Sequence, residues 1–314
     1  MIIINPKIDF YLIKFPIIFP AIYLISLYLF PSLENIIIIL TILLLAEPHF
    51  GATWPFFLDK SNKDYIIKNR IPLIIIPLFI VIFSLIGFFT FNSLFLLIFY
   101  AANVYHVTRQ SVGVGILYTK DEKEKKYQKN IIYICNLLFF VYGYFRFYLD
   151  IINENNNFQF FLFVNLIVVI LNLIYLFTFK NKNFFICLTG SIIFLPITFV
   201  SNPVHAIIMG VTMHYSQYLI LTYKVTLKRI LSNFNYKYSF KRFINLKFFL
   251  VIFIYSLLMT GLSYLSKSDS EIFRNLIIIP IVGQMLHFYI DSQLWKFSIQ
   301  HNRENVLNYL KESF

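Results

Sequence analysis

Residues 71–118 read IPLIIIPLFIVIFSLIGFFTFNSLFLLIFYAANVYHVTRQSVGVGILY, and this stretch decides the fold. Its first part, 71–92, is an uncharged and mostly apolar run about as long as the roughly 20 residues that a helix needs to cross a bilayer. A very short joint leads into a second run, 93–118, which carries His106 at about the depth of the membrane centre. So short a joint predicts two antiparallel neighbouring helices, the first almost entirely apolar and the second with polar residues inside the membrane.

The same alternation continues along the chain. Its 314 residues are 59% hydrophobic and 13% charged, about half the charged share of a typical soluble domain. A window of about 19 residues predicts an all-α fold, a polytopic integral membrane helical bundle that forms a single membrane domain over residues 1–314. The ten predicted transmembrane helices are 8–30, 35–58, 71–92, 93–118, 130–150, 158–179, 183–201, 203–226, 247–266 and 273–297.

Lys and Arg indicate the orientation of these spans. Outside the spans, nearly all of them lie in the loops that follow even-numbered spans, and the positive-inside rule makes that face, and both termini, cytoplasmic. The net charge of +12 is therefore spread over loops, where it determines topology and contacts anionic membrane lipids. We exclude nucleic acid as a partner and expect a multi-pass protein of the bacterial inner (plasma) membrane.

Four histidines lie in four even-numbered spans, each about 11–14 residues from the start of its span. At 1.5 Å per residue they share one layer, roughly 17–21 Å from one face of the membrane. Neutral imidazole is the commonest metal ligand, so we predict that the four converge on one metal ion; the plainer alternative is that each one hydrogen-bonds across helices. The ligands are His49, His106, His214 and His287, whereas His205 and His301 are expected to face solvent.

Polar residues accompany these histidines, mostly one helical turn away on the same face. They have the types that orient metal-bound imidazoles, and ionisable groups at membrane depth mark functional sites. Arg109 has two roles that stay open: it balances charge at the site or pairs structurally with a carboxylate. The predicted catalytic and orienting residues are Glu47, Arg109, Gln110, Tyr218 and Asp291.

The side chains available as ligands limit which metals the site can bind. Two cysteines in separate spans, Cys135 and Cys187, supply neither a disulfide framework nor a zinc-type cluster. Four histidines with few carboxylates suit a mononuclear Fe(II) site better than zinc or copper. Iron in this setting predicts an oxygenase that uses O₂ as co-substrate on an apolar, lipid-phase substrate, which reaches the site laterally from the bilayer.

Four short segments carry a resemblance to a known family: EPHFG (47–51), YHVTRQ (105–110), MHYSQY (213–218) and HFYID (287–291). With the chain's size and its histidines dispersed over separate spans, they resemble the Brp/Blh family of integral-membrane β-carotene 15,15'-dioxygenases. The resemblance implies one iron held by histidines and symmetric cleavage of β-carotene by O₂ to two retinals. The chain departs from the family in having Tyr218 where the family's later histidines form a close pair on one helix.

Other membrane functions are open at this stage. A proton- or ion-coupled transporter would use Glu47, His106, Arg109 and Asp291 as a relay. A chaperone or scaffold would tolerate substitution of all four histidines. Membrane desaturases need clustered histidine motifs and prenyl transferases need Asp-rich motifs for Mg²⁺, and the sequence contains neither.

Overall fold

A computed structural model describes residues 2–153, 156–180, 183–233, 238–268 and 270–311; it is 87% helical, with no strand in these ranges. The all-α prediction is therefore confirmed. The longer helices are α1 (Ile18–Leu29), α2 (Glu34–Thr41), α3 (Glu47–Phe57), α4 (Ile76–Thr90), α5 (Asn92–Tyr118), α6 (Glu122–Gly143), α7 (Asn157–Phe179), α8 (Phe184–Ile192), α9 (Pro203–Asn233), α10 (Tyr238–Leu265) and α11 (Ile278–Leu294).

Shorter helical segments extend or connect these helices. Short α-helices are Pro6–Ile8, Lys63–Lys68, Glu271–Arg274, Gln300–Asn302 and Asn308–Lys311. Wide π-helical turns are Asp9–Lys14, Ile42–Ala46, Ile71–Ile75, Tyr144–Tyr148 and Arg303–Leu307, and 3₁₀ turns are Pro31–Leu33, Lys60–Asn62, Leu195–Thr198 and Asn275–Ile277.

Five helical segments of the described chain are long and apolar enough to cross a membrane, or six if Pro6–Lys14 and Ile18–Leu29, bent by 57°, form one span. The five are Pro31–Phe57, Ile71–Thr90, Glu122–Tyr148, Asn157–Phe179 and Phe248–Leu265. These helices indicate a membrane-embedded protein. The count of ten spans stays a prediction, since α5, α9 and α11, which carry three of the four histidines, are not among the five.

The segment 183–201, predicted as one span, differs from that expectation. Helix α8 ends at Ile192, and a 3₁₀ turn, Leu195–Thr198, follows it. Pro196 explains the break, because proline has no N–H to donate and disfavours helical geometry in the residue before it. The helical part is too short to span a bilayer.

Helix α3 begins at a π-helical turn. The N–H of Glu47 bonds the carbonyl of Ile42, five residues back, and Pro48 follows directly. A proline ring inside a helix clashes with the carbonyl four residues earlier, so the preceding turn widens. The widened turn ends at Ala46, three residues before His49.

The contacts divide the chain into two compact units. Unit 1 comprises residues 1–37 and 104–217, and unit 2 comprises residues 38–103 and 218–314. In unit 1, α8 packs against α6 and α7. In unit 2, α3 packs against α10 and α11, and α11 also packs against α4. The expectation of a single membrane domain stays a prediction.

In unit 2, the segment 300–311 is tied to the residues that follow the C-terminal end of α3. The ring of His301 stacks on Tyr65 at 4.1 Å between centroids, and its Nε2 lies 2.9 Å from Oδ1 of Asn62. Asn305 Nδ2 lies 3.2 Å from His301 Nδ1. A neutral imidazole fits this arrangement, with Nε2–H donating to Asn62 and Nδ1 accepting from Asn305.

Acidification is expected to loosen this segment. Burial lowers the pKa of His301 below its usual value; the nearby Arg229 adds to this, and Glu304 opposes it. A histidine whose pKa is lower in the folded state stabilises that state above its unfolded pKa of about 6.5, and the stabilisation is lost as the pH falls through the folded pKa. Hydrogen-exchange protection factors of residues 300–311 should therefore fall from about pH 7.5 to about pH 5.

His301→Gln is the matched control for this effect. Its side-chain amide offers Asn62 a donor and Asn305 an acceptor but does not titrate in this range. Protection in this variant should be independent of pH. An equal fall in the two proteins would remove His301 as the cause.

Candidate functional site

Two of the predicted histidine ligands meet in unit 2. The rings of His49 on α3 and His287 on α11 lie 4.4 Å apart between centroids, and a ligand nitrogen of one lies within 4.8 Å of a ligand nitrogen of the other. Both side chains are buried, with exposures of 1% and 0%. Two nitrogens that bind one ion at about 2.1 Å each lie at most about 4.2 Å apart, so both residues could hold the same ion after a small approach of the two rings. The residues therefore fit a metal.

Thr53, one turn after His49, is the centre of a hydrogen-bond network across three helices. Its Oγ1 lies 2.6 Å from Nδ1 of His287 and 2.7 Å from the hydroxyl of Tyr218, and it donates to Oδ1 of Asp291 at 3.1 Å. Tyr218 also donates to Asp291 Oδ1, at 2.7 Å. The network connects a buried carboxylate to one of the paired imidazoles through a single hydroxyl.

Asp291 lies one turn after His287 on α11. Its Oδ2 is 3.7 Å from Nε2 of His287, beyond hydrogen-bond distance, whereas its Oδ1 is occupied by Thr53 and Tyr218. A buried carboxylate is costly unless hydrogen bonds satisfy it, and these two donors do so at Oδ1. Oδ2 therefore faces the same nitrogen that a metal would bind.

Glu47 lies at the start of α3, two residues before His49. Its side chain hydrogen-bonds Gln284 of α11, and its charge acts on the nearby Tyr255 of α10. Oε2 of Glu47 is buried and has no hydrogen-bond partner among the described residues. A side chain two residues on from another points to nearly the opposite face of a helix, so Glu47 and His49 serve different faces of α3.

Aromatic side chains surround the paired histidines. The ring of Phe50 lies 5.0 Å from His287, and the ring of Tyr218 lies 4.6 Å from His49. Phe288 and Trp295 complete this shell, at 5.9 Å from His287 and 5.9 Å from Tyr218 respectively. Such packing excludes water, and electrostatic interactions are stronger where water is absent.

The other two predicted ligands meet in unit 1. The rings of His106 on α5 and His214 on α9 lie 5.6 Å apart and are nearly perpendicular, at 86°. Both side chains are buried. Each unit therefore contains one pair of the predicted ligands, and the convergence of all four on one ion stays a prediction.

The remaining predicted site residues of unit 1 are less buried than the two histidines. Arg109 and Gln110 are partly buried, and the charge of Arg109 acts on the nearby Tyr133. Gln217, which lies one turn after His214, instead donates to the carbonyl of Ile13 at 2.6 Å and so ties α9 to the N-terminal segment.

Sequence reasoning missed several contacts. The spacing of four residues from His49 predicts that Thr53 is an orienting neighbour on the same helix face, but its contacts with Tyr218, His287 and Asp291 were not predicted. His205, expected to face solvent, is buried, with Nδ1 2.6 Å from the hydroxyl of Tyr23. That expectation was wrong because α1 covers the first turn of α9. His301 is partly buried rather than solvent-facing, for the contacts described above.

Comparisons with known proteins identify no relative. The chain matches no protein-family model, and no curated protein or solved structure shows significant similarity to it. The resemblance to the Brp/Blh family therefore stays a prediction from the four short segments.

Proposed function

We propose that this protein is a membrane-embedded metalloenzyme, an integral-membrane non-haem iron oxygenase that acts on a lipid-soluble substrate. One observation carries the proposal: two fully buried imidazoles, His49 and His287, lie within reach of one ion, and a carboxylate network holds one of them. Packing alone does not require this combination of residues, because buried polar groups at membrane depth are costly and mark functional sites.

In this proposal the side chains of unit 2 prepare the site. His49 and His287 supply nitrogen ligands, and Thr53 restrains the His287 ring through Nδ1. Asp291 contributes a negative charge beside the ligand nitrogens, which offsets part of the charge of a divalent cation. Tyr218 fixes Asp291, and the aromatic shell excludes water.

Iron and a carotenoid substrate are the finer parts of the proposal. Imidazole ligands with a nearby carboxylate are typical of non-haem Fe(II), which when bound supplies activation of O₂; zinc or copper suits the site less well. The resemblance to β-carotene dioxygenases names the substrate class, a long apolar chain that enters from the bilayer and is cleaved oxidatively. His106 and His214 stay predicted ligands on the basis of their depth in the sequence.

Metal retention tests the proposal. Protein purified in detergent is expected to retain about one equivalent of iron, and His49→Ala or His287→Ala should lose it, because each removes a nitrogen ligand. His106→Ala and His214→Ala test the two ligands predicted from sequence alone. In cells that accumulate β-carotene, the wild-type protein should deplete the pigment and form retinal, whereas the two ligand variants of unit 2 should not.

His205→Ala and His301→Ala are the matched controls. Each removes a histidine outside the two pairs, so iron retention should stay at the wild-type level. Wild-type protein that is folded and iron-free after iron supplementation would contradict the metalloenzyme. If the pigment persists although the protein is loaded with iron, β-carotene is excluded as the substrate, but the metal site is not.

A second function has one specific observation in its favour. Oε2 of Glu47, buried and without a hydrogen-bond partner among the described residues, suits a proton- or ion-coupled transporter that uses Glu47 and Asp291 as a relay. Such a relay would retain no iron. Glu47→Gln would abolish coupled transport in proteoliposomes but should leave iron retention by a metalloenzyme unchanged.

A further inference from the structure

The geometry points to Thr53 as a positioning residue that fixes the tautomer of His287, with the proton on Nδ1 and the lone pair of Nε2 available to a metal. This inference deepens the proposed function and rests on it for its consequence, metal binding. The hydrogen-bond assignment itself depends only on the contacts of Thr53.

Two hydroxyl hydrogens are available to this network, one on Tyr218 and one on Thr53. Tyr218 has one hydroxyl hydrogen, and it goes to Oδ1 of Asp291 at 2.7 Å. The one hydrogen of Thr53 is directed to this pair as well, either to the Tyr218 oxygen at 2.7 Å or to the same Oδ1 at 3.1 Å. The oxygen of Thr53 is then left as an acceptor, and the atom that faces it at 2.6 Å is Nδ1 of His287.

Nδ1 must therefore carry the proton that Thr53 accepts. In the opposite tautomer, Thr53 would turn its hydrogen away from the carboxylate, and Nε2–H of His287 would face Asp291 Oδ2 at 3.7 Å, too far for a hydrogen bond. That arrangement leaves a buried carboxylate with fewer donors, which is unfavourable. The hydrogen bonds of Thr53 and Tyr218 therefore favour the Nδ1–H form.

Thr53 thus occupies the place that a carboxylate or carbonyl takes beside many metal-bound imidazoles. A ligand histidine usually donates its second N–H to such a group, which fixes both the tautomer and the orientation of the ring. Here the carboxylate of Asp291 acts on His287 through an intervening hydroxyl. Thr53 lies on α3 with His49, so the same helix supplies one ligand and orients the other.

Two variants separate the hydroxyl from the volume of the side chain. Thr53→Val keeps the shape and removes the hydroxyl, and Thr53→Ser restores the hydroxyl. The matched control is Thr222→Val, because Thr222 is equally buried in unit 2 but its hydroxyl donates to the Tyr218 and Leu219 carbonyls of its own helix.

The first experiment needs no metal. Solid-state ¹⁵N NMR of histidine-labelled, metal-free protein in liposomes should show His287, assigned by its loss in His287→Gln, protonated on Nδ1 in the wild type and in Thr53→Ser. Thr53→Val should lose this signature, and Thr222→Val should keep it. A wild-type His287 protonated on Nε2, or a signature unchanged by Thr53→Val, would overturn the assignment.

The second experiment measures the consequence by titration with Fe(II), or with Zn²⁺ as a redox-inert probe. Thr53→Val is expected to weaken binding by about 10- to 100-fold, the usual effect of removing a group that orients a ligand. Thr53→Ser and Thr222→Val should bind as the wild type does. Equal losses in the Ser and Val variants would overturn the role of the hydroxyl. A wild type that binds neither metal would overturn the proposed function, while the NMR result would still decide the tautomer.

Discussion

Replacing Gly210 with alanine is expected to prevent unit 1 from folding, although alanine is the better helix former. A Cβ at position 210 on α9 would overlap the carbonyl oxygen of Ile193 and lie 3.0 Å from its carbonyl carbon and 3.2 Å from Cδ of Pro196. Alanine gains about 1 kcal/mol in helix propensity. Overpacking usually costs about 1–3 kcal/mol, and we expect more here because the obstacle is backbone.

The surroundings of Gly210 leave little room for relaxation. Ile193, Phe194 and Ile197 are completely buried, and the 3₁₀ turn fixes the chain between them. A shift of this segment would disturb the packing of α8 against α6. No small local shift therefore relieves the clash, and α9 and α8 must move apart.

Gly113→Ala is the control in the same unit. A Cβ at position 113 on α5 meets nothing within 4 Å, so alanine should leave stability unchanged or raise it slightly. Size-exclusion profiles of fluorescent fusions, together with thermal transitions, compare the two variants. Equal yields and melting temperatures of Gly210→Ala and Gly113→Ala would show that α9 approaches Ile193 less closely than described.

The close approach at Gly210 illustrates what the sequence does and does not predict. Apolar runs predicted the positions of most helices, because the length of a span follows from bilayer thickness and backbone hydrogen bonding. Helix ends were less predictable: Asp121 caps α6 by accepting from the N–H of Glu124, so that helix begins in the charged loop, ahead of the predicted residue 130. This boundary depends on a local capping hydrogen bond, which a hydropathy profile does not detect.

The candidate site, too, was predicted only in part from the sequence. The spacing of His287 and Asp291 identified a pair on one face of α11, since residues four apart are neighbours on a helix. The role of Thr53 was not predictable, because its three partners lie on two other helices and depend on how α3, α9 and α11 pack. Periodicity assigns a residue to a face of its own helix, whereas contacts between helices require the tertiary structure.

Gly51→Ala is expected to destabilise unit 2, by about 1–3 kcal/mol in free energy of unfolding, since it overpacks the contact between α3 and α10. A Cβ at position 51 would lie 2.8 Å from Cδ1 and 3.1 Å from Cγ of Tyr255. The hydroxyl of Tyr255 lies 3.0 Å from the position of a Cβ on Gly283, so its ring is confined on both sides. Tyr255 therefore cannot rotate away without meeting α11.

A double-mutant cycle identifies the clash as the cause. Tyr255→Ala alone should destabilise the protein, because it removes an aromatic ring from the interface. In the double variant Gly51→Ala, Tyr255→Ala, the new methyl group has space, so the combined loss should be smaller than the sum of the two single losses. Gly261→Ala on α10, where a Cβ meets nothing within 4 Å, is the control. Additive losses, measured by SDS titration in mixed micelles, would mean that Gly51 and Tyr255 do not touch, and the close packing that positions His49 and Thr53 on α3 would have to be reconsidered.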